Sequence, residues 1–168
     1  MEVTVREMTP ADYAGKGYVH YAVWQETYRG LVPEPYLDEL TLAWCVQAAE
    51  TYPIPTLVAV EDEKIVGFIC YVSQAREFVQ RENTSEIAAL YVLRAWRGRG
   101  IGSRLLDAAL SRLPHAKVAL FVLHGNTHAM SFYEKRGFCR TSRSISQDTG
   151  YGFLKEWEML LERTNGYF

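Results

Sequence analysis

The sequence predicts an α/β (α+β) fold with a mixed sheet, and three observations carry that prediction. Helical patterns cluster early in the chain. β-rich runs then follow one another closely enough to pair as hairpins. A strand–turn–helix–strand unit, with glycines at the turn, lies in the middle. The 168 residues are 48% apolar and 23% charged, which suits one folded domain with a sizeable core.

Taken in order, Val3 and Val5 alternate with polar residues and predict a first strand. Thr9, Pro10 and Asp12 mark a helix start: a capping hydroxyl, a proline in the first turn and an acid near the positive helix end. Tyr18, Tyr21, Ala22 and Trp24 keep a helical register to about Arg29, and Gly30 stops it. Pro33 and Pro35 open a short second helix; Thr41 leads into a third that ends before Pro53. Residues 56–60 and 65–72 are β-rich and only four residues apart, which predicts a hairpin. Residues 76–85 are polar and read as a loop. A strand over 86–92 runs into the glycine-rich turn and a helix closed by Pro114. Residues 117–122 form a further strand. Ala129, Phe132 and Tyr133 mark one face of a helix ending at Gly137, and two strands over 138–146 and 153–161 flank Gly150 and Gly152.

The totals exclude several classes of function. The net charge is −2, so the broad basic footprint of a nucleic-acid binder is missing. The cluster Arg94, Arg97, Arg99 and Arg104 is local and suits a small polyanion. No apolar run reaches the length of a membrane span, and the first residues lack the apolar core of a signal peptide. Cys45, Cys70 and Cys139 are odd in number and far apart, so neither a zinc site nor a disulfide framework is indicated and no metal is expected. Reduced thiols in a cytoplasmic protein are the plain expectation.

The most telling stretch is Arg97-Gly98-Arg99-Gly100-Ile101-Gly102-Ser103, between a strand and a helix. The first N–H groups of a helix have no intrahelical partner, and together with the positive end of the helix dipole they form an anion site. Glycines let a large anion approach the backbone. Three ligands compete. A dinucleotide fold wants Gly-x-Gly-x-x-Gly, whereas the spacing here is Gly98-x-Gly100-x-Gly102. A triphosphate loop needs a lysine after its last glycine, and none follows. The third candidate is acyl-coenzyme A.

Leu90-Tyr91-Val92 followed by Arg97-x-x-Gly100-x-Gly102 resembles the acyl-CoA signature of the GCN5-related N-acetyltransferases, which reads Gln/Arg-x-x-Gly-x-Gly/Ala. The stretch from Asn126 through Ala129, Phe132 and Tyr133 to Phe138 resembles the second signature of that family, and both stand in the right order. The helix around Trp24 and Tyr28 is similar to the substrate side of one bacterial branch. Arg94 departs from the pattern, since many members carry proline there. The resemblance covers nearly the whole chain and implies a single acyl-CoA N-acyltransferase domain over 1–168. The fold it implies is a mixed sheet of six to seven strands flanked by helices and splayed between 86–92 and 117–122.

The resemblance also implies roles. Leu90, Tyr91 and Val92 would pair their backbone with the pantetheine arm. Arg97, Gly98, Arg99, Gly100, Ile101, Gly102 and Ser103 would hold the pyrophosphate, chiefly through N–H groups. Asn126 would cap its helix, contact the pantetheine arm, or both. Tyr133 would protonate or hydrogen-bond the leaving thiolate; its bland reading is a core aromatic. Glu86 is read either as a solvated strand-end residue or as the carboxylate that takes the amine's proton through water, and alternation puts it on one face with Ala88, Leu90 and Val92. His20 and His128 are the other titratable candidates. The N–H of Val92 would stabilise the oxyanion.

Trp24, Tyr28 and Tyr151, with Tyr21, would line an acceptor pocket, while Glu26, Glu34, Asp38 and Glu39 read as a wet helix face or as attraction for a cation. The implied activity is acetyl transfer from acetyl-CoA to a primary amine by direct attack. The alternative is a non-catalytic acyl-CoA-binding regulatory module. Polyamines, amino sugars, antibiotics, amino acids and protein amines all stay open as acceptors. A homodimer is allowed, with the last strands and residues 165–168 as contributors.

Overall fold

The computed structural model describes residues 2–164. The first strand, β1 (Thr4–Glu7), is followed by a 3-10 turn, Pro10–Asp12. The Asp12 carboxylate accepts the Thr9 N–H at 2.7 Å and both guanidinium nitrogens of Arg6 at 2.7 and 2.9 Å. The turn opens α1 (Tyr13–Thr27), which stops just before Gly30, whose φ of +88° no continuing helix would adopt. Two shorter helices follow, α2 (Glu34–Glu39) and α3 (Leu42–Thr51); Thr41 caps α3 by accepting the Trp44 N–H at 3.0 Å.

β2 (Thr56–Glu61) and β3 (Lys64–Val72) form the expected hairpin. Its two turn residues, Asp62 and Glu63, both have positive φ, the twist that a two-residue connection requires. Next come β4 (Thr84–Val92), α4 (Ile101–Leu110), β5 (Lys117–Leu123), α5 (Thr127–Lys135), β6 (Cys139–Asp148) and β7 (Phe153–Glu162). β4 begins two residues before the predicted strand. Thr84 and Ser85 look like loop residues, yet both are buried, with their hydroxyls bonded to the carbonyls of Glu82 and Ser73.

The seven strands form one sheet in the order β1-β2-β3-β4-β5-β7-β6, and among the described residues only the β4–β5 pair is parallel. Alternate strand residues feed the two faces. On one face Leu57, Ile69, Ile87 and Leu120 pack against Leu105, Leu106 and Ala109 of α4, with Tyr133 of α5 beside them. On the other, Val58, Phe68 and Cys70 pack against Val19 and Val23 of α1. Fully burying a leucine such as Leu105 contributes about 1.5–3 kcal/mol.

Two irregularities shape the middle of the sheet. The β3–β4 register slips by one residue, from Cys70↔Ala89 to Tyr71↔Ile87, which leaves Ala88 as a bulge. The β4–β5 ladder then holds only three pairs, Thr84↔Lys117, Ser85↔Val118 and Glu86↔Ala119, before the strands part. The sheet is therefore splayed, as the resemblance implied. The bulge corrects one expectation. Glu86 does not share a face with Leu90 and Val92, because the extra residue reverses the alternation. Leu90 and Val92 pack toward α4, whereas Tyr91 packs on the α1 side against Phe68. Residues 165–168, expected to help a dimer, lie outside the described residues.

α1 and α3 meet at Gly17. A Cβ there would stand 2.6 Å from the Val46 backbone nitrogen and Cα, so the helices would have to separate. Gly17→Ala is expected to destabilise by about 2 kcal/mol net: an overpacking cost of about 3 kcal/mol against backbone, less the roughly 1 kcal/mol alanine gains in a helix. Thermal unfolding should show a Tm lower by roughly 4–8 °C. An unchanged or higher Tm would mean that the two helices are free to part.

Candidate active site

Where β4 and β5 separate, a cleft of about 520 Å³ opens through the sheet, and residues from both faces wall it. Leu93 donates to the Val66 carbonyl at 2.9 Å. Antiparallel bonding alternates, so Ala89, Tyr91 and Leu93 bond toward β3 while Leu90 and Val92 turn their main-chain groups toward the gap. No strand pairs with them there, because the β5 ladder has already ended. The Val92 carbonyl is taken by Arg97, whose Nε donates to it at 3.0 Å. The Val92 N–H is left facing the cleft.

The anion end is the start of α4. Arg104 makes the first helical bond, to the Gly100 carbonyl at 3.0 Å, so the N–H groups of Ile101, Gly102 and Ser103 have no helical partner. Gly98 and Gly100 hold φ of +78° and +76°, and a Cβ built on either meets nothing within 4 Å. Both glycines thus supply the left-handed turn and leave open space over the helix end. The neighbouring arginines are engaged elsewhere. Arg97 also donates to Thr27 Oγ1 at 2.9 Å, Arg94 to the Glu26 carbonyl at 2.6 Å and Arg104 to the Val3 carbonyl at 2.6 Å. Arg99 reaches Glu61 at 3.5 Å and is the one residue of the predicted anion loop that does not wall the cleft. An anion here would meet main-chain N–H groups first.

Asn126 and Tyr133 border the cleft from α5. Asn126 caps that helix, its Oδ1 accepting the Ala129 N–H at 3.2 Å, and its NH₂ stays available. Tyr133 is buried between Phe132 and Phe138. Burial pushes its phenol well above the ordinary tyrosine value, and nearby Tyr28 adds to the rise. It is therefore a protonated hydrogen-bond donor at any working pH.

The opposite end lies under α1. Trp24 and Tyr28 pack edge to face at 4.8 Å, and Trp24 Nε1 donates to the Tyr91 hydroxyl at 3.1 Å. Both wall the cleft. Tyr151 does not: it is exposed at the β6–β7 turn and its hydroxyl bonds Glu39. Of the candidate histidines, His128 walls the cleft. His20 stacks on Tyr91 at 6.0 Å, and burial lowers its pKa to about 4. The acids on the early helices are spent at the surface, Asp38 with Arg29 and Glu26 with Arg94.

Glu86 stands in the cleft wall yet is only 1% exposed. Its carboxylate accepts the Arg76 N–H at 3.1 Å, Arg76 Nε at 3.0 and 3.2 Å and Nη2 at 2.5 Å. Two groups that the sequence did not single out share this end. One is Arg76, from a segment read as a loop. The other is Glu156 of β7, whose carboxylate makes no hydrogen bond or ion pair among the described residues. Burial raises its pKa, and the Arg76 charge opposes that rise. Phe153, Lys155 and Trp157 alternate with Leu154 and Glu156, which signals a strand; nothing in that pattern says that Glu156 faces a gap between two other strands.

A sequence model described as the acetyltransferase (GNAT) family matches residues 13–138. A probable N-acetyltransferase of Mycobacterium tuberculosis is 27% identical over 154 residues, covering 86% of this chain and 84% of that one. The PaiA N-acetyltransferase of Thermoplasma acidophilum, solved with coenzyme A, matches with a TM-score of 0.70 at 24% identity, over 96% of this chain and 99% of that one. The yncA protein of Salmonella typhimurium, solved with acetyl-CoA, matches with a TM-score of 0.68 at 19% identity, over 100% of this chain and 98% of that one. At these identities the two structures share the fold with this chain.

The Arg76–Glu86 pair has a measurable signature. Removing the guanidinium leaves the buried Glu86 carboxylate without its counter-charge; because Arg76 is itself half-exposed, the cost is about 3 kcal/mol, the low end for a buried pair. Arg76→Met should therefore lower the Tm by roughly 6–12 °C. The double variant Arg76→Met/Glu86→Leu should recover most of that loss, since no charge is left behind. Equal instability of the single and double variants would show that packing, not charge, sets the cost.

Proposed function

The chain belongs to the acetyltransferase (GNAT) family and is an acetyltransferase enzyme, and on that premise we propose that it moves the acetyl group of acetyl-CoA to a primary amine by direct attack. The observation that carries this reading is the early end of the β4–β5 ladder, with the unpartnered N–H groups of α4 at one end of the opening. The pyrophosphate sits on the N–H groups of Ile101, Gly102 and Ser103, in the space that Gly98 and Gly100 keep clear. The pantetheine arm lies along β4 and pairs with the main chain of Leu90, which would otherwise face the gap without a partner strand. The crystallised relatives that hold coenzyme A or acetyl-CoA support the choice of ligand.

The thioester carbonyl then lies near the free Val92 N–H, a donor already in place for the oxyanion. Tyr133 donates a hydrogen bond to the departing sulfur. A thiolate, with a thiol pKa of about 8.5, is a weaker base than this phenolate, so the hydroxyl stabilises the leaving group and relays a proton instead of surrendering one outright. Direct transfer is supported by the state of the thiols. Cys45 is buried with its pKa raised to about 11, Cys70 is buried and raised, and exposed Cys139 lies outside the cleft wall. None is the activated thiolate that a covalent acetyl intermediate needs.

The test combines binding and turnover. Acetyl-CoA and CoA should raise the Tm in a thermal shift assay, while ATP and NAD should not. Tyr133→Phe should keep that stabilisation and lose ~10²–10⁴ in kcat, measured by CoA release over a panel of primary amines. Stabilisation by ATP or NAD and none by CoA would overturn the function; an unchanged kcat in the variant would remove Tyr133 from its role.

A further inference from the structure

The geometry points to Glu156 as the group that receives the acceptor's ammonium and takes its proton, and to an acceptor that is a singly charged primary amine on an apolar body. This rests on the acetyl transfer proposed above.

The charges at the acceptor end leave one unmatched. Arg76 and Glu86 cancel each other at hydrogen-bond distance. Arg97 spends its guanidinium on Val92 and Thr27. On β7, Glu158 is held by Arg81 at 2.6 and 2.8 Å and by Thr141 at 2.7 Å, with Arg143 at 3.7 Å. Glu156, two residues earlier on the same face, has no such partner and walls the cleft. Its ladder neighbours, Leu123 on β5 and Ile145 on β6, carry no charge. The titratable groups that face it are Tyr28 from α1, Tyr91 and Glu86 from β4, and Arg76 from the segment before β4, with Tyr133 and His128 reaching the same cleft from α5. No side-chain oxygen among the described residues is fully buried without a hydrogen bond, so the Glu156 carboxylate is open to the cleft. A cation entering from the cleft would complete it.

The walls choose the body of that cation. Trp24, Tyr28 and Phe78 line this end with aromatic surface, which suits an apolar chain and attracts an ammonium. An acceptor carboxylate would meet Glu156 as a like charge, while the positive charge of Arg76 is already matched by Glu86.

The protons balance. Glu156 takes one from the ammonium, and the neutral nitrogen attacks the thioester carbon. The C–N bond forms and the C–S bond breaks. The second nitrogen proton passes to the thiolate by way of the Tyr133 hydroxyl, giving the amide and free CoA thiol. The first proton leaves Glu156 for solvent. Burial makes the Glu156 carboxylate more basic than an ordinary one, which matches it better to this task.

Phenethylamine and phenylalanine form the test pair, since they differ only in the carboxylate. In the CoA-release assay, phenethylamine is expected to show a kcat/KM at least ~10²-fold higher. Glu156→Gln should lose ~10²–10⁴-fold with phenethylamine, flatten the acidic limb of the kcat/KM–pH profile, and keep the stabilisation by acetyl-CoA. Glu156→Asp should restore part of the rate and the limb. Preference for phenylalanine, no turnover of phenethylamine despite stabilisation by acetyl-CoA, or an intact acidic limb in Glu156→Gln would each overturn this inference and leave the acetyl-CoA reading standing. Failure of acetyl-CoA to stabilise the unmodified protein would overturn both.

Discussion

The structure turns on the place where β4 and β5 let go of each other. Three ladder pairs join them, and then the bulge at Ala88 turns β4 away. Main-chain donors and acceptors in the middle of a sheet normally find partners in the next strand, and here Leu90 and Val92 do not. A gap that left such groups dry would be unfavourable. A gap that accepts a polar, extended ligand turns that cost into recognition. The cleft, its two ends and its access to both sheet faces all follow from that one break.

The arginines around the break are engaged in fixing the backbone instead of reaching into the cleft. Arg97 grips the last carbonyl of β4 and ties it to Thr27 of α1, which fixes the strand end relative to the helix above it. Arg76 clamps Glu86 at the last paired position before the bulge. Arg81 does the same for Glu158 on β7. Buried pairs of this kind add little net stability over apolar residues, yet breaking one is expensive, so they define where the backbone must lie. What remains for an anion is the helix end and its glycines. Such a site reads the shape and charge of a diphosphate without any single essential side chain.

Those local features were legible in the sequence. The glycine turn, the Asn126 cap and the hairpin of 56–72 each depend on a few adjacent residues. The break in the sheet was reached only through the family resemblance, because a splay is a relation between strands. The bulge at Ala88 gives no local sign: Ala88 and Ala89 look alike, and only the register against Cys70 and Tyr71 shows the extra residue. That single slip is why simple alternation puts Glu86 on one face with Leu90 and Val92 and the structure does not. Thr84 and Ser85 read as loop because their polarity is visible and their buried hydrogen-bond partners are not. The family resemblance puts Tyr151 in the acceptor pocket, whereas its turn points it to Glu39. Glu156 is hidden for the converse reason: an alternating strand does not show which of its polar residues faces a cavity.

Burial acts on Tyr133 and Glu156 in the same direction, and the consequences for the proposed reaction are complementary. Each group is pushed toward its neutral, protonated form. For the phenol, which begins neutral, this removes any tendency to ionise, so the donor facing the sulfur is always charged with its proton. For the carboxyl, an acid in its ordinary state, it raises basicity, and the Arg76 charge opposes that rise. One wall of the cleft thus keeps a proton to lend, and the other has a vacancy for one. A single apolar environment divides the two duties between a phenol and a carboxylate because they enter it from opposite sides of neutrality.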